Sequence, residues 1–501
     1  MKVVPDELGS LPRLSMLSFK ANRLHTVPPN SLAPSVQWLI LSDNCLRTLP
    51  ESLGKLKGLR KLMLAGNCLE SLPKSLAQCA HLELVRLADN NLTELPVALL
   101  SLPKLGWIAL ASNGFNRALA ARARAVVPTA PGVVTVVDAG KPLGRGASGV
   151  VYRGSLEGNE TTKSTSVAVK VFAASKTSDG DPADEAAATG LAGASSCPHL
   201  MQSYGKLPPL PQALMSTKEA ATAASAAFSE APAAADKIEG LVLELLDGYT
   251  ALAGPPSFTS VTRDVFAGDG ADVAPSAVSG RWKSSSPCSV ASVALDEPQA
   301  PSPSSTTSPG LWPGEALSPA RVLTLKFTMG VLKSVSAALA ELHALGLSHG
   351  DVYGHNILLR PPLNDSSGEA KAGSKEAYGS SAAANDDGWA VLSDLGAAFF
   401  YKATSQVQAT SAQQNGSAGV VEEDAAASLL ERIEVLAFGH LVAELLARLD
   451  PERFTSAPPH FAAAVASLQE LVADCRKPTV SARPGFTEVY RRVCAASEGS
   501  A

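Results

Sequence analysis

A glycine pattern in the second quarter of this 501-residue chain is the first set of residues whose types and spacing could do chemistry. Gly144, Gly146 and Gly149 have the Gly-x-Gly-x-x-Gly spacing of loops whose backbone closes over phosphate groups. Apolar runs typical of β-strands flank the pattern, and the second of them, Val167–Lys170, ends in a cation. A lone glycine pattern is weak evidence, but this combination predicts a nucleotide site and phosphoryl transfer.

Three later segments turn the glycine pattern into a resemblance to a known family. A His-Gly-Asp triplet ends at Asp351 and precedes Asn356, and an Asp-Leu-Gly triplet begins at Asp394 after an apolar run. Each acid alone is most simply a solvated surface group. Together with Lys170 they stand in the order that the protein-kinase family shows. The resemblance covers about residues 138–495 and implies a two-lobed α+β kinase fold.

The resemblance implies a role for each of these residues. ATP is expected beneath the glycine-rich loop, with Lys170 pairing its α- and β-phosphates. Asp351 is expected to orient the acceptor hydroxyl and take its proton. Asn356 and Asp394 are expected to hold Mg²⁺. ATP and Mg²⁺ are therefore the expected cofactors, and a serine/threonine-directed protein kinase is the expected enzyme.

The resemblance also implies the remaining contacts of the nucleotide. Glu185, at the start of an alanine-rich helical run, is the candidate partner of Lys170, with Asp184 as the alternative. Leu243 is expected beside adenine. The other residues expected to contact the nucleotide are Leu143, Gly144, Gly146, Gly149, Val151, Glu244 and Leu246.

Several positions depart from the family pattern. Gly350 replaces the arginine that pairs a phosphorylated activation loop, and Tyr353 stands where serine/threonine kinases keep a lysine near the γ-phosphate. No Ala-Pro-Glu triplet occurs between residues 397 and 433. Its possible replacements are Glu422, Glu423 and Glu431. These departures favour, as the alternative to an active kinase, a pseudokinase scaffold that binds nucleotide without transferring phosphate.

Two further segments bear on the choice of family. Glu434 opens a segment that resembles helix F of protein kinases, with Glu where the family has Asp, and Arg483 resembles a late arginine of the C-lobe. However, the triplet ending at Asp351, followed by Asn356, also resembles small-molecule phosphotransferases of the aminoglycoside and choline kinase type. Such an enzyme is the second alternative.

The first quarter of the chain is a repeat array. Asparagines recur at steps of 22 or 23 residues, at Asn22, Asn44, Asn67, Asn90 and Asn113. Each lies in the pattern Leu-x-x-Leu-x-Leu-x-x-Asn-x-Leu, which resembles short intracellular leucine-rich repeats. One repeat cannot bury its leucines alone, so stacked neighbours form an α/β solenoid over residues 1–120. The asparagine amide can satisfy backbone groups where the chain turns, so we interpret it as structural.

Strand alternation predicts which repeat residues point away from the core. The first outward column contains Met16, Trp38, Lys61, Leu84 and Trp107, and the second contains Ser18, Ile40, Met63, Arg86 and Ala109. The two columns together make an apolar strip, with Lys61 and Arg86 supplying charge, and such strips usually bind other proteins. We expect Trp38, Met63, Leu84 and Trp107 to bind a protein substrate or adaptor. The alternative is that the strip packs against this chain's own kinase lobe or linker.

The chain is therefore predicted to be multidomain, with low-complexity insertions. The predicted segments are repeats 1–120, a linker 121–137, kinase N-lobe and hinge 138–254 with an insertion at 208–238, a low-complexity insertion 255–318, the C-lobe 319–495 with insertions at 361–388 and 402–427, and a tail 496–501. The insertions are rich in alanine, serine and proline, which predicts disorder.

Charge and hydropathy exclude several classes of protein. A net charge of −5 argues against a nucleic-acid binder. Residues 1–126 carry 15 basic against 8 acidic side chains, and the remainder 27 against 39. We interpret this contrast as two surfaces of different composition, with electrostatic docking of the halves as the alternative. No apolar run is long enough to span a membrane and the start of the chain has no signal-peptide pattern, so we expect a cytoplasmic protein.

Overall fold

The structure is a computed structural model that describes most of the chain outside the predicted insertions. It covers residues 1–137, 141–145, 148–157, 164–172, 180–208, 240–254, 256, 323–360, 388–403, 419–449 and 459–498. Most of the predicted insertions 208–238, 255–318, 361–388 and 402–427 lies outside these residues, as does Gly146. The side chains of Glu422 and Glu423 are outside them too. Residues 419–427 of the last insertion are described and form the start of a helix, so that insertion ends earlier than predicted.

The repeat array is a parallel sheet whose five strands follow chain order. The strands are β1 (Met16–Ser18), β2 (Trp38–Ile40), β3 (Lys61–Met63), β4 (Leu84–Arg86) and β5 (Trp107–Ala109). The return limbs are 3₁₀ turns at Asp6–Ser10, Glu51–Lys55 and Lys74–Gln78 and one turn of helix, α1 (Val97–Leu100). The register aligns Met16, Trp38, Lys61, Leu84 and Trp107, which confirms the predicted outward column.

The repeated asparagines form a ladder of hydrogen bonds inside the array. Asn44 accepts the Leu24 N–H at 2.9 Å, and its amide nitrogen donates to the Leu41 and Phe19 carbonyls. Asn67 and Asn90 repeat this arrangement one repeat further on. Each buried amide thus ties two repeats together, which confirms the structural interpretation of these asparagines.

The second half begins with an antiparallel sheet. Its strands are β6 (Val133–Val136), β7 (Gly144–Arg145), β8 (Gly149–Glu157), β9 (Ser164–Phe172), β10 (Ser203–Lys206) and β11 (Gly240–Glu244), in the order β10-β11-β9-β8-β6 with β7 paired to β8. Helices α2 (Arg117–Val126) and α3 (Pro182–Gly193) pack against each other beside this sheet. The segment 121–137, predicted as a linker, therefore contains the end of a helix and an edge strand.

The remainder of the chain is mostly helical. Its helices are α4 (Leu325–Ala344), α5 (Gly419–Leu446), α6 (Pro459–Cys475) and α7 (Phe486–Glu498). Its strands are β12 (Thr250–Ala251), β13 (Leu347–Ser348), β14 (Ile357–Leu359), β15 (Ala390–Leu392) and β16 (Phe399–Phe400). Strands β12, β14 and β15 form one small sheet, and β13 pairs with β16. Among the helices of the described residues, none combines the length and apolar character needed to cross a bilayer.

The repeat array and the second half share a hydrophobic core. Leu84 and Trp107 belong to the same buried cluster as Phe438 of α5, and Leu430 and Ile433 of α5 pack with the leucines of the repeats. The predicted outward strip therefore meets this chain's own second half, which was the alternative interpretation. The two sequence regions therefore pack against each other through two buried clusters of the described residues.

Polar contacts also cross between the two halves. Arg483, only 2% exposed, donates to the Pro103 carbonyl of the repeats at 2.7 Å and to the carbonyls of Arg432 and Lys477. Arg124 of α2 pairs with Asp184 of α3 at 2.6 Å. The contrast in net charge is thus accompanied by at least one ion pair across the boundary between the two halves.

Candidate functional site

A cavity of 630 Å³ opens between the six-stranded sheet and the small sheet of β12, β14 and β15. One wall comes from β7, β8 and β9, and the opposite wall includes Leu358, Leu392 and Asp394. Most residues predicted to contact a nucleotide line this cavity, namely Leu143, Gly144, Gly149, Val151, Lys170, Leu243, Glu244 and Leu246. Gly146 lies outside the described residues.

The two described glycines of the pattern differ in whether their surroundings leave room for a side chain. A Cβ at Gly149 would lie 2.2 Å from the Val171 carbonyl oxygen, so this glycine is required by the close approach of β8 and β9. A Cβ at Gly144 would meet nothing within 4 Å. Only Gly149 is therefore fixed by packing, whereas Gly144 leaves the mouth of the cavity open.

An ion pair joins the two elements at the base of the cavity. Lys170 of β9 pairs with Glu185 of α3, whose side chain is 4% exposed. Asp184, the alternative candidate, instead accepts from Ser112 at 2.5 Å and pairs with Arg124. Burial raises the pKa of the Glu185 carboxyl, and the nearby Asp394 carboxylate adds to this rise against the opposing charge of Lys170. Two acids thus lie close enough to act on each other's charge, which favours the approach of a further cation.

A polar loop after β13 brings Asp351 beside Asn356. The Asn356 amide nitrogen donates to the Asp351 carbonyl at 2.9 Å and to its carboxylate Oδ2 at 3.0 Å. The Ser393 N–H donates to the Asn356 carbonyl at 2.8 Å, so Asp394 follows directly on a residue bonded to Asn356. Asp394 has a left-handed backbone, with φ +57°, and accepts the Gly396 N–H at 3.2 Å. The structure thus places the three predicted residues next to one another.

The buried carboxylate of Glu434 anchors this loop by accepting its hydrogen bonds. It is 2% exposed on α5 and accepts from the backbone N–H groups of Gly350 and His349, from Ser348 Oγ at 2.9 Å and from His343 Nε2 at 2.8 Å. Burial raises the pKa of the Glu434 carboxyl, but the His343 hydrogen bond and charge, with the other donors, outweigh burial and hold it below its usual range. Glu434 is therefore an ionised anchor of the Asp351 loop.

The repeats supply a residue to this loop that sequence reasoning did not place there. Arg86 of β4 forms an ion pair with Asp351, and its Nη1 donates to the Gly350 carbonyl at 3.4 Å. Burial raises the pKa of the Asp351 carboxyl, but the charges of Arg86, His355 and His349 hold it below its usual range. The signal in the sequence was the position of Arg86 in the outward column, where it was read only as charge on a protein-binding strip.

Trp107 fixes the same loop from the neighbouring repeat strand. Its indole N–H donates to the Val352 carbonyl at 3.0 Å, and its ring stacks on Tyr353 with centroids 4.8 Å apart and planes 2° from parallel. Gly350 has φ +76°, and a Cβ there would lie 2.8 Å from the Ile108 carbonyl oxygen. Contact with the repeats therefore explains Tyr353, whereas Gly350 is required by its positive φ and by two carbonyls, that of Ile108 and that of Ala397, which lies 2.6 Å from the same Cβ position.

These contacts correct the expected partner-binding surface. Leu84 and Trp107 are 6% and 3% exposed, so neither is free to bind a separate protein. Met63 is half-buried and packs against the same cluster. Trp38 is half-buried and holds the Lys61 ammonium 4.3 Å from its ring centroid. The strip was predicted correctly as apolar, but much of it is covered by the chain itself.

The side chains near Asp394 determine whether the expected Mg²⁺ could bind there. Within the part of the chain that the structure describes, no group of three or more His, Cys, Asp or Glu side chains is arranged to hold a metal ion. Asn356 and Asp394 nevertheless offer hard oxygen donors, on two segments that the Ser393–Asn356 hydrogen bond joins. Mg²⁺ usually takes one or two such protein ligands and completes its shell with water and substrate phosphates. The pair therefore fits Mg²⁺ as a companion of bound phosphates.

Comparison with known proteins identifies only the first part of the chain. The family described as leucine rich repeat matches residues 12–69, and no kinase-domain family is detected. A search of curated proteins finds no match. The match agrees with the parallel sheet, the asparagine ladder and the 22- or 23-residue period. The N-terminal region of this protein is a leucine-rich-repeat array.

Proposed function

We propose that this protein is an ATP-dependent phosphotransferase of the protein-kinase type, with Mg²⁺ as its cofactor. The observation that carries the proposal is the Lys170–Glu185 ion pair in a cavity that Asp394 also lines. A phosphate-binding cation, a buried acid that orients it and a metal-binding aspartate are the parts that phosphoryl transfer requires in one place. Asn356 bonds to Ser393, the residue before Asp394, and Asp351 in turn accepts from Asn356.

The proposed roles follow from the chemistry of each side chain. Lys170 neutralises the phosphates of the nucleotide, and Glu185 holds its ammonium group in place. Asp351 accepts a hydrogen bond from the acceptor hydroxyl and takes its proton as the oxygen attacks the γ-phosphorus, while the bond from that phosphorus to the β-phosphate oxygen breaks and ADP leaves. Bound Mg²⁺, on Asp394 and Asn356, would neutralise the charge of the phosphate oxygens.

Two classes of compound are candidates for the acceptor of the phosphoryl group. A serine or threonine of a protein is the first, on the basis of the segments that resemble protein kinases. A small hydroxyl compound is the second, because Arg86 and Trp107 crowd the Asp351 loop and leave the Asp351 side chain 18% exposed. A partner recruited by the repeats must bind outside the covered positions Leu84 and Trp107.

Phosphate transfer in purified full-length protein tests the proposal. Labelled MgATP is offered with casein and, separately, with a panel of small alcohols including aminoglycosides and choline. We expect Lys170→Ala and Asp394→Ala to lower the rate of transfer by about 10³-fold or more, because each removes charge stabilisation from the transition state. Asp351→Asn is expected to lower transfer while keeping MgADP affinity. Glu488→Gln, in an exposed pair on α7, is the control.

The outcomes separate the candidates. Label in casein or in the chain itself supports a protein acceptor, and label only in a small alcohol supports the second candidate. MgADP binding by wild type without transfer to any acceptor would mean a pseudokinase scaffold. Undiminished transfer in Lys170→Ala and Asp394→Ala would show that these residues have other roles.

A further inference from the structure

We infer that Arg86 of the repeat array is a catalytic residue, which presents its guanidinium to the phosphoryl group transferred at Asp351. The inference rests on the proposed function and extends it, because the repeats then form part of the active site. Arg86 lies 265 residues before Asp351 in the chain, so its place in the site comes only from the fold.

Phosphoryl transfer needs positive charge at this point of the site. Negative charge spreads over the equatorial oxygens of the transferring group, and an arginine supplied from another loop or domain commonly stabilises it. The residue two positions after Asp351 is the aromatic Tyr353, which stacks on Trp107 and carries no positive charge. Lys170 is already held by Glu185 in the cavity between the two sheets. Arg86 places a cation directly on the Asp351 carboxylate.

The contact leaves Asp351 able to act on an acceptor. A carboxylate has about four acceptor positions. Arg86 occupies one on Oδ1 and Asn356 one on Oδ2, so positions remain for a hydroxyl. The Asp351 side chain is 18% exposed, which gives an acceptor a route to it. The planar guanidinium carries five N–H donors in a fork that suits phosphate oxygens, and Nη1 and Nη2 already point it at Gly350 and Asp351.

The repeats carry Arg86 as a fixed part of the site rather than as a removable lid. Leu84, two residues before Arg86 on β4, lies in the core of the second half, and the neighbouring Trp107 does too. Arg483 ties Pro103 of the array to the same interior. An inhibitory lid must leave its site, and separation here would expose this apolar surface to water. The geometry therefore favours a built-in cation over a lock.

The neighbouring basic residue, Lys61, shows why an arginine suits this position better than a lysine. Lys61 lies one strand away, and burial together with the charge of Arg86 lowers the pKa of its ammonium group to about 8. Arginine keeps its proton in such surroundings because its guanidinium loses a proton only in strong base. Of these two cations, Arg86 is the one suited to a permanent charge beside Asp351.

The test measures transfer and nucleotide affinity on the full-length chain. Rates of label transfer from MgATP, to casein and to the chain itself, are compared for wild type, Arg86→Gln, Arg86→Lys and Arg60→Gln. Arg60 is the matched control, because it forms a two-bond pair with Glu83 within the repeats. We expect Arg86→Gln to lower the rate by about 10²–10³-fold, the usual effect of losing one transition-state donor. MgADP affinity should stay within about threefold, as no ground-state contact of Arg86 with a nucleoside diphosphate is proposed.

Two measurements separate catalysis from folding. Arg86→Lys keeps the charge without the forked geometry and should retain an intermediate rate. Guanidinium ion at millimolar concentration should raise the rate of Arg86→Ala, which a purely structural loss would not allow. A rate for Arg86→Gln equal to wild type overturns the inference, and a faster rate identifies the contact as an inhibitory lock. If wild type binds MgADP but transfers nothing, the proposed function fails first and this inference with it.

Discussion

Replacing Glu434 with glutamine removes one oxygen from the anchor of the Asp351 loop. In the wild type, Oε1 accepts from Ser348 Oγ and the Gly350 N–H, and Oε2 accepts from His343 Nε2 and the His349 N–H. Ser348 can turn its hydroxyl to accept instead. Whichever way the amide points, one of the two backbone N–H groups faces an NH₂ group.

The structure sets the size of this effect. One buried N–H without an acceptor costs about 1–3 kcal/mol of unfolding free energy. For a cooperative unit of this size, Tm should fall by about 2–12 °C. Glu434→Ala leaves all four donors without their acceptor, so it should cost about 3–5 kcal/mol, as expected for a broken buried ionic network. Phosphate transfer should fall in both variants because Asp351 loses its support.

Acid should abolish the difference between wild type and Glu434→Gln. The folded-state pKa of Glu434 lies below its ordinary value of 4.5, so the unfolded chain takes up the proton first as the pH falls. The contribution of the carboxylate is complete above that value and is lost as the pH falls through the folded pKa. The gap in Tm should therefore be largest near neutral pH and should narrow below pH 4.5.

Thermal unfolding by circular dichroism and amide hydrogen exchange at His349 and Gly350 measure these effects. Faster exchange at one of the two amides is expected in Glu434→Gln. Unchanged Tm and unchanged exchange at neutral pH would refute the assignment of Glu434 as the anchor. Glu488→Gln serves as the control, because its carboxylate pairs with Arg491 in solvent.

Three further predictions concern the contacts between the repeats and the second half and the asparagine ladder inside the repeats. Trp107→Ala should lower the unfolding free energy by about 3–5 kcal/mol because its side chain is buried, whereas Trp38→Ala should change it by less; equal melting curves for the two would contradict the shared core. Gly350→Ala should destabilise by at least 1 kcal/mol because of its φ of +76° and its closeness to the Ile108 carbonyl, and a neutral result in denaturant unfolding would argue against that approach. Asn67→Ala should cost about 1–3 kcal/mol by calorimetry because the buried Leu46 N–H loses its acceptor, while Asn22→Ala, at a half-buried position, should cost less.

The repeats could be predicted strand by strand because one local rule governs them. A fixed period, an alternating strand and a buried asparagine determine the register of the five-stranded sheet. The cavity was partly predictable for a similar reason, since the pairing of Lys170 with Glu185 depends on a strand and a helix close together in sequence. These features need only short-range information.

The docking of the repeats could not be predicted from the sequence. It depends on the shapes of surfaces separated by more than 200 residues, as in the Arg86–Asp351 and Trp107–Val352 contacts. Within their own segment, Gly350 and Tyr353 stand out only as the loss of an arginine and of a lysine. In the fold, one makes room for Ile108 and the other stacks on Trp107. Their meaning lies in a contact that no local pattern contains.

The Arg483–Pro103 hydrogen bond has a consequence for synthesis of the chain. Its two residues are 380 positions apart, and ribosomes add about 5–20 residues per second, so the array waits roughly 20 to 80 s for this partner. The repeats need only their neighbours and can fold as they emerge. During that interval Leu84 and Trp107 face solvent on a nascent chain. This stage of biogenesis is the one at which chaperones have an apolar surface to protect, and the finished array then serves as the template on which the later helices assemble.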